Sequence, residues 1–453
     1  MFRIKEVNST EGPLIPSIIK YAIPIAIGAL IQVLFNSADI MVLGNMANSV
    51  AVAAVGATTP IVGLVVNSFV GLAGGTNVIL AHSVGAKDND RIRRTVDTSI
   101  IISVVIGVIL AIVGLFFADW FLVVSACPEE CIGGASLYLK IYFASAPFLM
   151  LYNFGAAILR VTGDTQRPLY YLIACGVLNV VLNFILCVIL TQKVAAVAIA
   201  TFASQVLGAI LVMIRLINME GPCKVDIKRL IFCRKTFGRI MTLGLPGALN
   251  ASLYNVANIQ IQSAINSYGT AAMAGNTAAI SIESWVSSFT NAVAATAMAF
   301  VGQNLGAKKP ERVKKTILYC MIIGVILGVV LGDGFFMFGK QFLGVYLPGE
   351  IEAIEYGYVR MHYILALYFI AAISGVLGNT IAAFGYSILS MFNSVFSVLI
   401  LRFFWMFFVY PHFKTIHNLY FCFTVSWILA LIVNILMFTI IYRKFKKGKL
   451  MKI

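Results

Sequence analysis

Long apolar runs, each ended by a short polar or charged stretch, repeat along the chain and predict twelve helices. The first six run about 16–43, 50–80, 96–119, 137–159, 168–190 and 194–216. The second six run about 240–266, 271–301, 316–338, 357–384, 388–410 and 418–442. A helix crosses the hydrocarbon of a bilayer with roughly 20 apolar residues, so these runs are long enough to span. Composition agrees: 60% of the 453 residues are hydrophobic and 11% charged, which leaves little chain for a soluble domain. A soluble enzyme, a secreted disulfide scaffold and a receptor with a large ectodomain are thereby excluded. The basic start, Arg3, Lys5 and Lys20, leads into a run too long for a signal-peptide core, so the first span is expected to stay.

The net charge of +15 acquires meaning once the 33 Lys and Arg are placed. With both termini cytoplasmic, 27 of them fall on the cytoplasmic side. They are Arg3, Lys5 and Lys20, then Lys87 to Arg94, Arg160 and Arg167, Arg215 to Arg239, Lys308 to Lys315, and the tail from Arg443 to Lys452. Lys193, Lys340 and Lys414 fall outside, while Lys140, Arg360 and Arg402 lie in or at the edge of spans, where snorkelling or pairing is expected. Such a bias fixes orientation in a membrane protein, and nucleic acid is not needed to account for it. A missing span would scramble the alternation of rich and poor loops.

The loops also repeat. Gly85-Ala86-Lys87-Asp88-Asn89-Asp90-Arg91 is answered by Gly306-Ala307-Lys308-Lys309-Pro310-Glu311-Arg312 at an offset of 221. Pro24 answers Pro246, Gly163 answers Gly385, and Tyr138-Leu139-Lys140-Ile141 answers Tyr358-Val359-Arg360-Met361. Two homologous six-helix bundles follow, 1–215 and 240–442, with a linker at 216–239 and a basic tail at 443–453. Six is even, so both halves run the same way through the membrane, and a central cavity is expected between such parallel repeats. No Gly-x-x-x-x-Gly-Lys-Ser/Thr loop occurs, so transport energy is expected from an ion gradient.

Among 18 acidic residues, Asp39 in the first span and Glu283 in the eighth lie well inside apolar runs. An intramembrane carboxylate is costly and is by default a functional candidate, here for carrying an ion, although it can also simply hydrogen-bond its neighbours. Glu283 lies toward the outer part of its span. The spans around Asp39 carry Asn36, Asn153, Asn179, Asn183 and Thr201, with Asn179 and Asn183 on one helical face. Each carboxamide has the alternative of interhelical hydrogen bonding. In the second half no acid answers Asp39, and Tyr254, Asn258 and Gln262 form a polar stripe, with Asn379 on the tenth span.

Together these residues resemble the MATE family (multidrug and toxic compound extrusion) of the multidrug, oligosaccharidyl-lipid and polysaccharide exporter superfamily. The resemblance rests on Gly302-Gln303-Asn304-Leu305-Gly306-Ala307, on Leu159-Arg160-Val161-Thr162-Gly163-Asp164-Thr165-Gln166-Arg167-Pro168, and on Pro24 to Asp39 followed by Ala53-Ala54-Val55-Gly56. It implies a twelve-helix exporter of drugs or metabolites driven by inward protons or sodium ions. It further implies an ion-coupling cluster of Asp39, Asn153, Asn179, Asn183 and Thr201, and a first span that bends at Pro24. Members with that cluster often carry a second aspartate where this chain has Asn183, a departure that favours a proton over a dehydrated metal cation. The expected substrate path comprises Asn36, Tyr254, Asn258, Gln262, Glu283 and Asn379.

The expected protein is therefore an all-α cell-membrane antiporter with no catalytic residues, no metal site and no cofactor beyond its coupling ion. Organic, cationic or amphipathic small molecules and membrane lipids are its expected partners, nucleic acid is not, and a monomer suffices. A flippase for lipid-linked oligosaccharides is the alternative, disfavoured by few buried Lys or Arg. Cys127 and Cys131 form either an external disulfide or two thiols.

Overall fold

The computed structural model describes residues 7–46, 49–125, 127 and 129–448, apart from the side chains at 36–38, 40, 41, 44, 45, 49, 50, 52 and 259. Nearly all of this chain is helix. The helices are α1 (Leu14–Met46), α2 (Ser49–Gly85), α3 (Asn89–Val124), α4 (Glu129–Ala144), α5 (Ala146–Val161), α6 (Gln166–Ile189) and α7 (Lys193–Asn218). They are followed by α8 (Arg234–Asn266), α9 (Thr270–Gly306), α10 (Pro310–Met337), α11 (Gly339–Tyr346), α12 (Ile351–Ile364) and α13 (Tyr368–Ala383). A helical stretch Ser387–His412 and a last helix Ile416–Lys446 complete the chain.

Among the described residues, eight helices are long and apolar enough to cross a bilayer, and ten do so when α4 with α5 and α12 with α13 each count as one bent span. α8 and α9, with 33 and 37 residues, are also long enough at 1.5 Å per residue but more polar. Outward faces are apolar: Phe116, Val188, Met337 and Phe407 are all exposed. Side chains of this kind in such number require lipid as their solvent.

Two compact units are formed, one of Met1–Val7 with Ile27–Gly244 and the other of Asn8–Ala26 with Leu245–Ile453. α1 and α8 are thus each divided between units, two residues after Pro24 and one residue before Pro246. In the first unit α3 packs on α4 and α5, and α7 on α4, α5 and α6. In the second α10 packs on α9 and α13, and α9 also on α12 and α13. The linker after α7 is tied down within its own unit, where Ile231 N–H donates to Asp97 Oδ2 and Cys233 N–H to Thr98 Oγ1.

The sequence repeat is visible in the backbone. Lys87 and Lys308 adopt left-handed φ of 56° and 55°, and Gly163 and Gly385 of 90° and 89°. Each is the turn that ends a helix: Asp88 N–H donates to Ser83 O, Lys309 to Asn304 O, Asp164 to Leu159 O and Tyr386 to Ile381 O. This six-to-one bond satisfies carbonyls that a helix end leaves open. α4 and α5 meet at 48°, α12 and α13 at 49°. At both bends a glycine lets backbones touch. A Cβ on Gly107 would lie 2.4 Å from Pro147 Cα, and one on Gly328 would lie 2.7 Å from Phe369 Cα.

The continuous fourth and tenth spans expected from the sequence are therefore bent, because apolar content does not report direction. Ser145-Ala146-Pro147 breaks the first, since Pro147 brings no N–H to the helix ladder. α11 was hidden for a similar reason, its eight residues being continuous in composition with the span before it.

Candidate ion and substrate sites

In the first unit, α1 supplies Asp39, α6 supplies Asn179 and Asn183, and α7 supplies Thr201. Asn179 and Asn183 are one turn apart and both buried, because the four-residue spacing turns them to the same inner face. Asn183 Nδ2 donates to Asp39 Oδ1 at 2.6 Å and to Asn179 Oδ1 at 3.2 Å. Asn179 Nδ2 donates in turn to Thr201 Oγ1 at 3.3 Å. Thr201 passes its own proton to Val197 O at 3.0 Å. A half-buried carboxylate thus heads a chain of neutral groups reaching across three helices.

Asn183 Oδ1 is buried and has no hydrogen-bond partner among the described residues. Both N–H donors of that amide are already committed, so the group cannot turn without breaking the bond to Asp39. The open oxygen and the carboxylate make a hard, oxygen-rich environment that suits a proton or a small cation.

Four of the five residues expected in this cluster are joined. Asn153 is not: its Nδ2 donates to Leu149 O in its own helix at 2.9 Å. The side chain of Asn36 lies outside the described residues. Tyr138 and Tyr142, which the sequence reading did not assign, extend the chain from α4. The buried Tyr138 hydroxyl shares a hydrogen bond with Thr201 and lies within electrostatic reach of Asp39. Its ring stacks on Tyr142 at 6.3 Å, and Tyr142 hydrogen-bonds Gln205. Gln205 Oε1 accepts from Ser145, the residue at the α4–α5 bend. Hydrogen bonds and one ring stack therefore connect the carboxylate's cluster to the bend. Tyr138 and Tyr142 share a helix face by their spacing, and that was the available signal. Within this unit a cleft of about 650 Å³ is lined by Met46, Leu137, Gln192 and Val194, two helical turns along α1 from Asp39.

The second unit has a different character. Arg360 Nη2 pairs with Glu283 Oε2 at 2.7 Å, and Arg360 Nη1 donates to Asn276 Oδ1 at 3.0 Å. Asn276 Nδ2 donates to Gln262 Oε1 at 2.8 Å, and Tyr420 OH to Asn276 Oδ1 at 3.2 Å. Arg402 Nη1 donates to Asn258 Oδ1 at 2.6 Å, and its guanidinium lies over the Tyr254 ring at 5.2 Å. Five expected substrate-path residues thus divide: Glu283 and Gln262 belong to one network, Asn258 and Tyr254 to another. Asn379 donates to Gly375 O in its own helix at 3.0 Å.

Two cations are buried in this unit. Arg360 and Arg402 are 6% and 0% exposed. Arg360 is compensated by its ion pair, and Arg402 by neutral acceptors and aromatic faces, neither of which a count of charges along the sequence reveals. Lys140 pairs instead at the surface, with Asp119 at 2.9 Å. No group of three or more His, Cys, Asp or Glu able to hold a metal occurs among the described residues. None of the eight cysteines is in a disulfide there.

The chain matches the MatE family twice, over 24–185 and 246–407. "Probable multidrug resistance protein YoeA" of Bacillus subtilis is 25% identical over 385 residues, 83% of either chain. "Multidrug export protein MepA" of Staphylococcus aureus is 24% identical over 343 residues, 75% of either chain. The fold is that of a MATE crystallised in complex with MaL6, with a TM-score of 0.90, 22% identity and coverage of 98% of this chain and 100% of that one. It is equally that of a MOP superfamily transporter from Pyrococcus furiosus, with a TM-score of 0.87, 20% identity and coverage of 98% and 99%. With one match in each half, at the spacing at which its loops and bends repeat, this chain belongs to the MATE family of membrane transporters.

Proposed function

We propose that this protein is a secondary antiporter that exports organic, cationic or amphipathic compounds across the cell membrane in exchange for inward protons or sodium ions. The observation that carries the ion half of this reading is the link from Asp39 through Asn183 to Asn179 and Thr201, with Asn183 Oδ1 left open beside the carboxylate. A carboxylate among neutral amides is expensive when charged and cheap when it holds a proton or cation. Loading from outside and release inside follow if the surroundings of Asp39 differ between two conformations, and cargo that stabilises the unloaded state is then exchanged for the ion. With one charge in the cluster and an amide at Asn183, the proton is the favoured ion.

Export of drugs as the cargo step draws on the multidrug-resistance and multidrug-export names of the relatives. Both termini are placed in the cytoplasm by the positive-charge bias, and the chain acts as a monomer. Pro24 removes one helix hydrogen bond close to where α1 passes between units, which gives the helix a place to bend. Tyr254 and Asn258, with Gln262, Glu283 and Asn379, line the substrate path of the second half. A lipid-linked oligosaccharide flippase would use the two buried arginines of that half, but Arg360 is paired with Glu283 and Arg402 is fully enclosed. Neither offers a free charge to a pyrophosphate.

The test compares Asp39→Asn with Glu283→Gln in everted membrane vesicles energised by a proton gradient, following uptake of a fluorescent organic cation. Loss of uptake in the first and substantial retention in the second is expected. The reverse pattern would place coupling in the second half.

A further inference from the structure

Pro24 and Pro246, and Gly163 and Gly385, repeat at an offset of 222, which carries Asp39 to Ile261 and Asn183 to Trp405. Asn258 and Arg402 stand three residues earlier on both of those helices, about one turn nearer their N-terminal ends. Asp39 and Asn183 are 144 residues apart, and so are Asn258 and Arg402. Each pair is joined by a 2.6 Å hydrogen bond in which the later helix donates to Oδ1 on the earlier one. The second half therefore repeats the link of the first, moved by one turn along both helices. Its charge has changed: an acid held by a neutral amide in the first half is a neutral amide held by a cation in the second.

That cation is built in. Arg402 is the largest fully buried side chain among the described residues, and its acceptors, Asn258 Oδ1 and Ser426 Oγ, are neutral. Its guanidinium lies 4.3 Å from the Phe423 ring centre and 5.2 Å from that of Tyr254. The other face of the network holds a second guanidinium, since Arg360 lies 5.1 Å from Phe423, but that charge is matched by Glu283. No carboxylate pairs with Arg402 among the described residues. The helix around it is wound as π turns at Val395–Ile400 and Trp405–Val409, with one α turn, Leu401–Phe404, between them. π turns are uncommon and gather where a helix is adapted to hold a functional side chain.

We propose that Arg402 is the tethered counterpart of the exchangeable ion. The first half leaves a carboxylate that must borrow a proton or metal cation, whereas the second supplies its cation covalently, through a guanidinium that does not lose its proton. The second half then has no exchangeable ion site, its charge is constant through the cycle, and one ion per chain is coupled. This rests on the reading of Asp39 as the ion carrier.

Ion binding by the purified full-length protein in detergent tests it, with protons counted by difference titration and sodium by equilibrium binding of the labelled ion. Wild type is expected to bind one ion per chain and Asp39→Asn none. Adding N258D and R402N to Asp39→Asn copies the acid-and-amide link into the second half and is expected to restore one ion. Adding N258D alone, which leaves Arg402 in place and preserves packing, is expected to restore none, because the guanidinium neutralises the new acid. An ion gained with N258D alone, or none gained by the well-folded triple variant, would overturn the proposal. So would an ion retained by Asp39→Asn and lost in Asp39→Asn with Asn258→Ala. An ion retained by Asp39→Asn and indifferent to positions 258 and 402 would refute the Asp39 reading while leaving the second half free of exchangeable ions, as proposed.

Discussion

Asn183 decides more about the cluster than its neutrality suggests. It is fully buried, spends both amide protons on Asp39 and Asn179, and leaves its Oδ1 without a hydrogen-bond partner among the described residues. Replacing it by leucine removes a hydrogen bond to a charged group, an effect of about 1.5–3 kcal/mol, and raises the cost of an ionised Asp39. Loading of Asn183→Leu should accordingly persist to higher external pH while release into the cytoplasm becomes limiting, read from transport rate against external and internal pH. Asn183→Asp adds a second negative oxygen ligand and should confer sodium dependence, read as stimulation by sodium at constant pH. Asp39 was legible in the sequence because a carboxylate inside an apolar run has few structural explanations. Tyr138, Tyr142 and Arg402 were not. Aromatic residues are common in any span, and the guanidinium's neutral partners, Asn258 and Ser426, are 144 and 24 residues away along the chain.

At the scale of elements, apolar run length located the helices and left their directions open. Bends at Ser145 and after Ile364 depend on which backbones come into contact, and contact is not encoded in hydropathy. Gly107 and Gly328 carry that information as small residues, one in each half, but glycine is frequent throughout the chain. Gly107→Ala and Gly328→Ala each force a Cβ into facing backbone and should cost about 1–3 kcal/mol. A lower thermal melting point in detergent checks this for both. Gly334→Ala, with open space around its Cβ, should leave the melting point unchanged or raised, because alanine favours a helix by up to about 1 kcal/mol over glycine. Equal losses at 107 and 328 would mark the two bends as one repeated device.

For the whole molecule, the repeat was legible in the loops, and the backbone returns it in matching positive φ values at Lys87 and Lys308 and at Gly163 and Gly385. What no loop comparison showed is that α1 and α8 each contribute to both units, since such a division depends on tertiary packing. Orientation can be read chemically. The Thr236 hydroxyl and backbone N–H beside Cys233 hold its thiol below the usual range, whereas burial and neighbouring Cys131 push Cys127 up. A lower thiol pKa gives more thiolate at a given pH, so Cys233 should be alkylated faster and at lower pH than an ordinary cysteine. With the linker cytoplasmic, an impermeant maleimide should label Cys233 in everted vesicles and not in intact cells, as peptide mapping would show.

The central claim, that an ion carried by Asp39 drives export, is tested most directly by reconstituting wild type and Asp39→Asn in proteoliposomes and imposing a proton or a sodium gradient of either direction. Wild type should move a fluorescent organic cation against its concentration whenever protons run the opposite way, reverse when the gradient is reversed, and lose both responses in Asp39→Asn. Transport indifferent to either gradient, or unchanged by Asp39→Asn, would contradict the account.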